Sequence, residues 1–335
     1  MHTSPLVRYL LLLLCSVLFV GCAAGSSQQQ THQNVPHYSP IINSLVATTG
    51  CGHPSPIAQG NSDFQTIAAD PAKAEGSQTR TYRIYIPSMY QDQQQLPVVL
   101  VFHGYGGRSY EIEEITGFSD LAEQQHFIVV YPDGLEDGHN NAQFWANGGA
   151  ADSYGIDDVQ FVSDVLNDVQ RKFCVDAHRI YATGFSNGGG MTDFLACRLA
   201  MRIAAFAPVS GNFLPTPGGC HPGRPVSILE IHGTADTTVP YNGDSSSPNH
   251  PPGSEEAIPA WLHNWAVRDG CTRGLEPFLQ TASFIAEQWT GCQGHVAVVH
   301  YRIEGGGHIW PDAIGDQTCA SVIWKFFQNY SLTTA

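Results

Sequence analysis

The stretch Gly184-Phe185-Ser186-Asn187-Gly188 constrains this chain more than any other. A β-type run, residues 179–183, leads into it, and a helical pattern follows. A serine in G-x-S-x-G between a strand and a helix reads as a sharp turn that lifts its Oγ out of a sheet. The helix start directs backbone N–H groups towards negative charge that develops beside that oxygen. Taken alone the pentapeptide is weak, because the chain has 34 glycines and a Gly-rich βα turn needs no chemistry. Its context decides.

From about residue 80 onwards, strand and helix patterns alternate. Residues 81–86 alternate at period two and stop at Pro87. Residues 97–102 and 127–131 are continuous apolar runs, as in parallel strands buried on both faces. Residues 109–125 read as helical. In 157–173, Asp157 and Asp158 suit the N-terminus, and Val159, Val162, Val165, Leu166 and Val169 form an apolar face. Strands follow at 226–231 and 296–303. Helices follow at 257–268, where Pro259 fits the first turn, and at 317–329. This alternation predicts one doubly wound, mostly parallel α/β sheet, with no repeat and no second domain boundary within 51–335.

Such sheets place their chemistry on loops at the C-terminal ends of their strands. Four of those loops stand out: His103-Gly104-Tyr105, Ser186, Asp236 and His308. A serine hydroxyl needs a base within hydrogen-bond reach. Histidine is the usual base, and a buried carboxylate fixes its tautomer. Ser186, Asp236 and His308 occur in the order Ser, acid, His, each after a strand. Asp269 and Asp312 are weaker rivals for the acid, since neither directly follows a strand. The chain has 15 histidines, but His308 is approached by Gly305-Gly306-Gly307, a side-chain-free loop that lets the ring reach Ser186. His103 reads as a residue that shapes its own loop. The backbone N–H groups of Tyr105 and Asn187 are the candidates for an oxyanion hole. Trp145 and Trp310 are candidates for stacking on substrate, with a core position the alternative for each.

The ends of the chain and its composition bound the setting. Arg8, an apolar core over residues 9–20 and the small residues 21–25 read as an export signal, residues 1–22. Twelve apolar residues are too few for a lasting membrane span. Phe19-Val20-Gly21-Cys22 also looks like a lipobox, which leaves two outcomes: a surface lipoprotein anchored through lipidated Cys22, or free secretion. The Gln-rich segment that follows suits a flexible tether, taken as residues 23–50. Net charge is −15 and Lys73, Lys172 and Lys325 are the only lysines, so nucleic acid and anionic membrane surfaces are poor partners. Cys15 and Cys22 belong to the signal, and in an exported chain the other seven cysteines read as disulfides with one left over. Their spacings do not fit a zinc site, so no metal is expected.

The motifs Phe102-His-Gly-Tyr-Gly-Gly107, Pro132-Asp-Gly134, Gly184-Phe-Ser-Asn-Gly-Gly189, His232-Gly-Thr-Ala-Asp236 and Gly305-Gly-Gly-His-Ile-Trp-Pro311 together resemble the secreted feruloyl esterase and poly(3-hydroxybutyrate) depolymerase family. That family is related to carbohydrate esterases such as acetylxylan esterases. The resemblance spans about Cys51 to residue 330. It implies an α/β-hydrolase fold, with Ser186 as nucleophile, Asp236 as acid and His308 as base. An oxyanion N–H at the Tyr105 position and a Cys271–Cys292 bridge are also implied; many relatives carry Cys where Tyr105 stands. The expected reaction is cofactor-free hydrolysis of carboxylic esters: feruloyl or related plant-polysaccharide esters, or short hydroxyalkanoate esters, with a polymeric substrate in view. A serine peptidase and a non-catalytic surface binding protein are the more distant readings.

Overall fold

The computed structural model describes residues 46–68, 79–138, 140–148, 156–243 and 255–333. The signal at 1–22, Cys22 and most of the tether lie outside the described residues. The strands are β1 (Asn61–Ile67), β2 (Arg80–Ile86), β3 (Leu96–Phe102), β4 (Ile128–Pro132), β5 (Leu135–Glu136), β6 (Gln143–Phe144), β7 (Val175–Phe185), β8 (Ala205–Val209), β9 (Ser227–Gly233), β10 (Arg273–Gln280), β11 (Phe284–Thr290), β12 (Val298–Ile303), β13 (Ala313–Ile314) and β14 (Gln317–Thr318). The α-helices are α1 (Ser109–Thr116), α2 (Phe118–Gln125), α3 (Asp158–Lys172), α4 (Asn187–Arg198), α5 (Ile258–Arg268) and α6 (Cys319–Phe327).

Ten strands form one sheet in the order β1-β2-β4-β3-β7-β8-β9-β12-β11-β10. From β4 across to β12 every neighbouring pair is parallel, and the pairs outside that block are antiparallel. Side chains on β3 alternate between two cores, as a period-two strand buried on both faces must. Val98, Leu100 and Phe102 join the core covered by α3, α4 and α5. Val99 and Val101 join the core covered by α1, α2 and α6. The result is three layers, the arrangement of the α/β-hydrolases.

Local sequence explains the elements. The Asp157 carboxylate accepts from the Gln160 N–H at 2.8 Å and caps α3, whose last turn carries Arg171 and Lys172. The helical stretch expected over 109–125 forms two helices, broken at Gly117, whose φ of 65° ends α1 in a left-handed cap. Strands β1, β10 and β11 were not expected. Every residue of β10 is exposed, so it lacks the apolar alternation that marks a strand.

The tether also ends sooner than residue 50. Thr49 and Gly50 donate backbone hydrogen bonds to Gln170 O at 3.1 and 3.0 Å, and Thr48 Oγ1 donates to Val175 O at 2.7 Å. Residues 46–50 are therefore docked on the domain. Disulfides join Cys51 to Cys174, Cys197 to Cys220 and Cys271 to Cys292. Among the described residues Cys319 is the free thiol, and burial pushes its pKa up.

One buried charge makes stability depend on pH. Asp193 on α4 accepts from Trp265 Nε1 at 3.0 Å, and burial pushes its carboxyl up to about 7. The folded value is raised above the unfolded one, so this group's contribution is fully present below about pH 4 and is lost as pH rises through about 7. Asp193→Asn keeps an acceptor for Trp265 and removes the charge. Its melting temperature should exceed that of wild type at pH 8 and show no such gain at pH 4, as measured by thermal unfolding.

Candidate active site

Ser186 follows β7 and is the N-cap of α4. Its φ is 57°, a positive value that a side chain rarely adopts outside a forced turn. The turn is held by Ser186 N–H donating to Val209 O at 2.9 Å and by Gly190 N–H donating to Ser186 O at 2.9 Å. Gly188 lets the first turn of α4 pack onto β3. A β-carbon there would collide with the backbone oxygens of Phe102 and His103. The strand–turn–helix sequence thus fixes where the Ser186 hydroxyl points.

Asp236 follows β9 and His308 follows β12, the parallel neighbour of β9. His308 Nε2 lies 2.8 Å from Ser186 Oγ, and His308 Nδ1 lies 2.8 Å from Asp236 Oδ2. Asp236 Oδ1 accepts from the backbone N–H groups of Thr238 and Val239, both at 2.8 Å. Burial would raise this carboxyl, but hydrogen bonds from His232 and His308 hold it well below the usual carboxylate range. The Phe185 ring packs on the His308 ring, with centroids 4.9 Å apart. Ala235 N–H donates to Gly306 O at 2.9 Å and Gly305 N–H to Thr234 Oγ1 at 2.8 Å. These bonds lace the acid and base loops together. Of the three glycines before His308, Gly306 is required by close packing, since a β-carbon there would lie 3.1 Å from Gly233 Cα, whereas Gly305 and Gly307 face open space.

Tyr105 and Asn187, the two residues expected to supply oxyanion N–H groups, both neighbour Ser186. Asn187 is the first residue of α4, whose opening N–H groups have no partner within the helix. Gly104 packs against Ser186, since a β-carbon on it would lie 3.3 Å from Ser186 Cβ, and Tyr105 is the next residue. The loop is anchored from below. Gly134 N–H donates to His103 Nε2 at 3.0 Å, so the proton of this neutral ring is on Nδ1, 2.7 Å from Gly104 O. Burial lowers the pKa of His103 and keeps it neutral, which fits a shaping role.

The two tryptophans take the other reading. Trp145 is fully buried and donates from Nε1 to His103 O at 2.9 Å. Trp310 is 6% exposed and meets Phe118 edge-on at 6.3 Å in the α1/α2/α6 core. Neither ring has an open face for an aryl group. The large side chains exposed next to the proposed machinery are Tyr105 and Ile309, each 57% exposed. Tyr105 Oη donates to Asp137 Oδ2 at 2.6 Å, which steadies the ring. Residues 244–254 of the loop expected to border the site lie outside the described residues; Tyr241, at its start, is half-buried.

Sequence reasoning missed several supporting side chains. Asn187 Oδ1 accepts from Trp145 N–H at 2.7 Å and its Nδ2 donates to Trp145 O at 3.2 Å, pinning the 143–147 segment to the turn. Glu230, His232 and His300 line up behind Asp236. Glu230 left a signal: a charged residue inside the apolar run Ile228-Leu229-Glu230-Ile231. Among the described residues, no group of three or more His, Cys, Asp or Glu side chains is arranged to hold a metal ion. Among the same residues, no helix is long and apolar enough to cross a membrane.

Known proteins resemble the chain along most of its length. Residues 80–221 match the family described as Esterase PHB depolymerase. Feruloyl esterase B of Piromyces equi is 33% identical over 253 residues, which cover 74% of this chain and 45% of that protein. The chain thus spans less than half of that relative. A probable feruloyl esterase C of Aspergillus clavatus is 27% identical over 298 residues, 86% of this chain and 97% of that protein. Among solved structures, an acetyl xylan esterase from Aspergillus awamori superposes with a TM-score of 0.56 at 15% identity, covering 79% of this chain and 99% of that one. That likeness concerns the fold. The matched segment, residues 80–221, carries β2 to α4 and the Ser186 turn and belongs to the esterase PHB depolymerase family, and the chain has the α/β-hydrolase fold.

Proposed function

We propose that the protein is an exported serine esterase that hydrolyses carboxylic esters through an acyl-enzyme. The observation that carries this reading is the unbroken line Ser186 Oγ–His308–Asp236, with both contacts at 2.8 Å. His308 takes the Ser186 proton as Oγ attacks the ester carbonyl carbon. The carbonyl oxygen becomes an oxyanion that the N–H groups of Tyr105 and Asn187 stabilise. His308 then protonates the leaving alcohol, and a water deprotonated by the same ring releases the acid. Asp236 holds the His308 tautomer with its proton on Nδ1. Because a histidine base must be neutral, kcat/KM falls on acidification. Export is supported by the signal pattern at 1–22 and the three disulfides, which persist in oxidising compartments. Whether Cys22 carries a lipid is a further part of this proposal, tested by mass spectrometry of the mature N-terminus.

For the substrate class, feruloyl and related plant-polysaccharide esters rank first, by similarity to the named feruloyl esterases. Short acetyl and hydroxybutyrate esters come next. A panel of p-nitrophenyl acetate, methyl ferulate, acetylated xylan, poly(3-hydroxybutyrate) and emulsified triolein tests the order. Turnover of the short and feruloyl esters with little on triolein is expected. Preference for the long-chain triglyceride would overturn the substrate class.

A further inference from the structure

Behind Asp236 runs a buried row of ionisable side chains for which the hydrolysis above has no use. Glu230 and His232 on β9 and His300 on β12 are all 0–1% exposed. His232 Nδ1 lies 2.9 Å from Glu230 Oε1, and its Nε2 lies 2.9 Å from Val239 O and 3.3 Å from Asp236 Oδ2. His300 Nδ1 lies 2.7 Å from Glu230 Oε2, and its Nε2 lies 2.9 Å from Tyr241 Oη. Arg302, beside His232 in the β9/β12 register, lies 3.9 Å from Glu287 on β11 and 2.8 Å from Glu304.

With Glu230 ionised, geometry fixes the charge on His232. Both ring nitrogens face acceptors, a carboxylate on one side and a carbonyl and second carboxylate on the other. A neutral imidazole can donate only once, so the ring is an imidazolium. In agreement, Glu230 and Asp236 outweigh the effect of burial and push His232 up to about 10. Burial would raise Glu230 likewise, yet His232 and His300 hold it below the usual carboxylate range. A buried charge cluster is weak evidence for stability, because well-packed apolar residues would serve as well. A purpose in the site accounts for it better.

We propose that His232, clamped by Glu230, is a positioning residue that fixes the plane of the Asp236 carboxylate and shares its charge, tempering its pull on the proton that His308 carries in mid-reaction. The inference rests on the triad proposed above. Asp236 Oδ1 is tied by two backbone N–H groups, so Oδ2 is the oxygen left to face both His232 and His308. Without the His232 cation, Asp236 would act on His308 with its full charge, and the base would protonate at higher pH.

The test is the pH dependence of kcat/KM on p-nitrophenyl acetate for wild type, Glu230→Gln, His232→Gln and the double variant. In each single variant the acidic limb should move up by about one pH unit, with KM little changed. The double variant should move no further, since the same cation is lost once. An unmoved limb in folded variants, or shifts that add, would overturn the role. A second measurement needs no variant: ¹⁵N spectra of the histidine rings of wild type at pH 8, where ordinary histidines are neutral. One ring should keep the imidazolium pattern, and a neutral pattern on every histidine would overturn the proposal. Hydrolysis that survives Ser186→Ala would instead defeat the triad reading. An unmoved limb with Ser186 still essential would defeat only the His232 role.

Discussion

Ser186→Ala gives a folded protein whose ester hydrolysis is lower by roughly 10⁴- to 10⁶-fold, the scale of loss when a triad nucleophile is removed. The fold should not notice the change. Ser186 N–H and C=O hold the turn through Val209 and Gly190, and alanine keeps both backbone groups. The side chain gives up the 2.8 Å bond to His308 Nε2. Melting temperature and circular dichroism should match wild type while kcat collapses. More than a few per cent of wild-type activity in the purified variant would mean that another group attacks the ester.

Asp236→Asn should cost about 10⁴-fold in kcat, and the reason lies in its neighbours. The N–H groups of Thr238 and Val239 both donate to Oδ1, so the amide oxygen of an asparagine must stay there. Its NH₂ then occupies the Oδ2 position, 2.8 Å from His308 Nδ1. A donor at that point makes Nδ1 the acceptor and moves the proton to Nε2, facing Ser186. The base then has no lone pair where it needs one. The same NH₂ faces the His232 imidazolium, so some loss of stability accompanies the loss of rate. Steady-state kinetics beside thermal unfolding separates the two effects. A variant within tenfold of wild-type kcat would remove Asp236 from the proposed mechanism.

Much of this site was legible because its residues sit at the ends of strands with strong patterns. The runs at 97–102, 179–183, 226–231 and 296–303 marked the centre of the sheet, and the loops that follow them carry His103, Ser186, Asp236 and His308. Order along the chain then suggested the proposed roles. The tryptophans were not legible. Sequence places Trp310 two residues from His308, but only packing shows the chain turning its ring into the core against Phe118. The antiparallel edge was missed because β10 is exposed along its whole length and has no periodic signal. The Glu230–His232–His300 row was hidden for a different reason. Its members lie on two strands 70 positions apart, and only the parallel pairing of β9 with β12 brings Glu230 opposite His300.

In the proposed mechanism Ser186 becomes covalently acylated. The most direct test of this is the reaction of wild-type protein with a fluorophosphonate, followed by peptide mapping with mass spectrometry. One adduct per chain on the Ser186 peptide, absent from Ser186→Ala and formed more slowly as pH falls, is the predicted result. No adduct on folded wild-type protein, or an adduct on a residue other than Ser186, would contradict it.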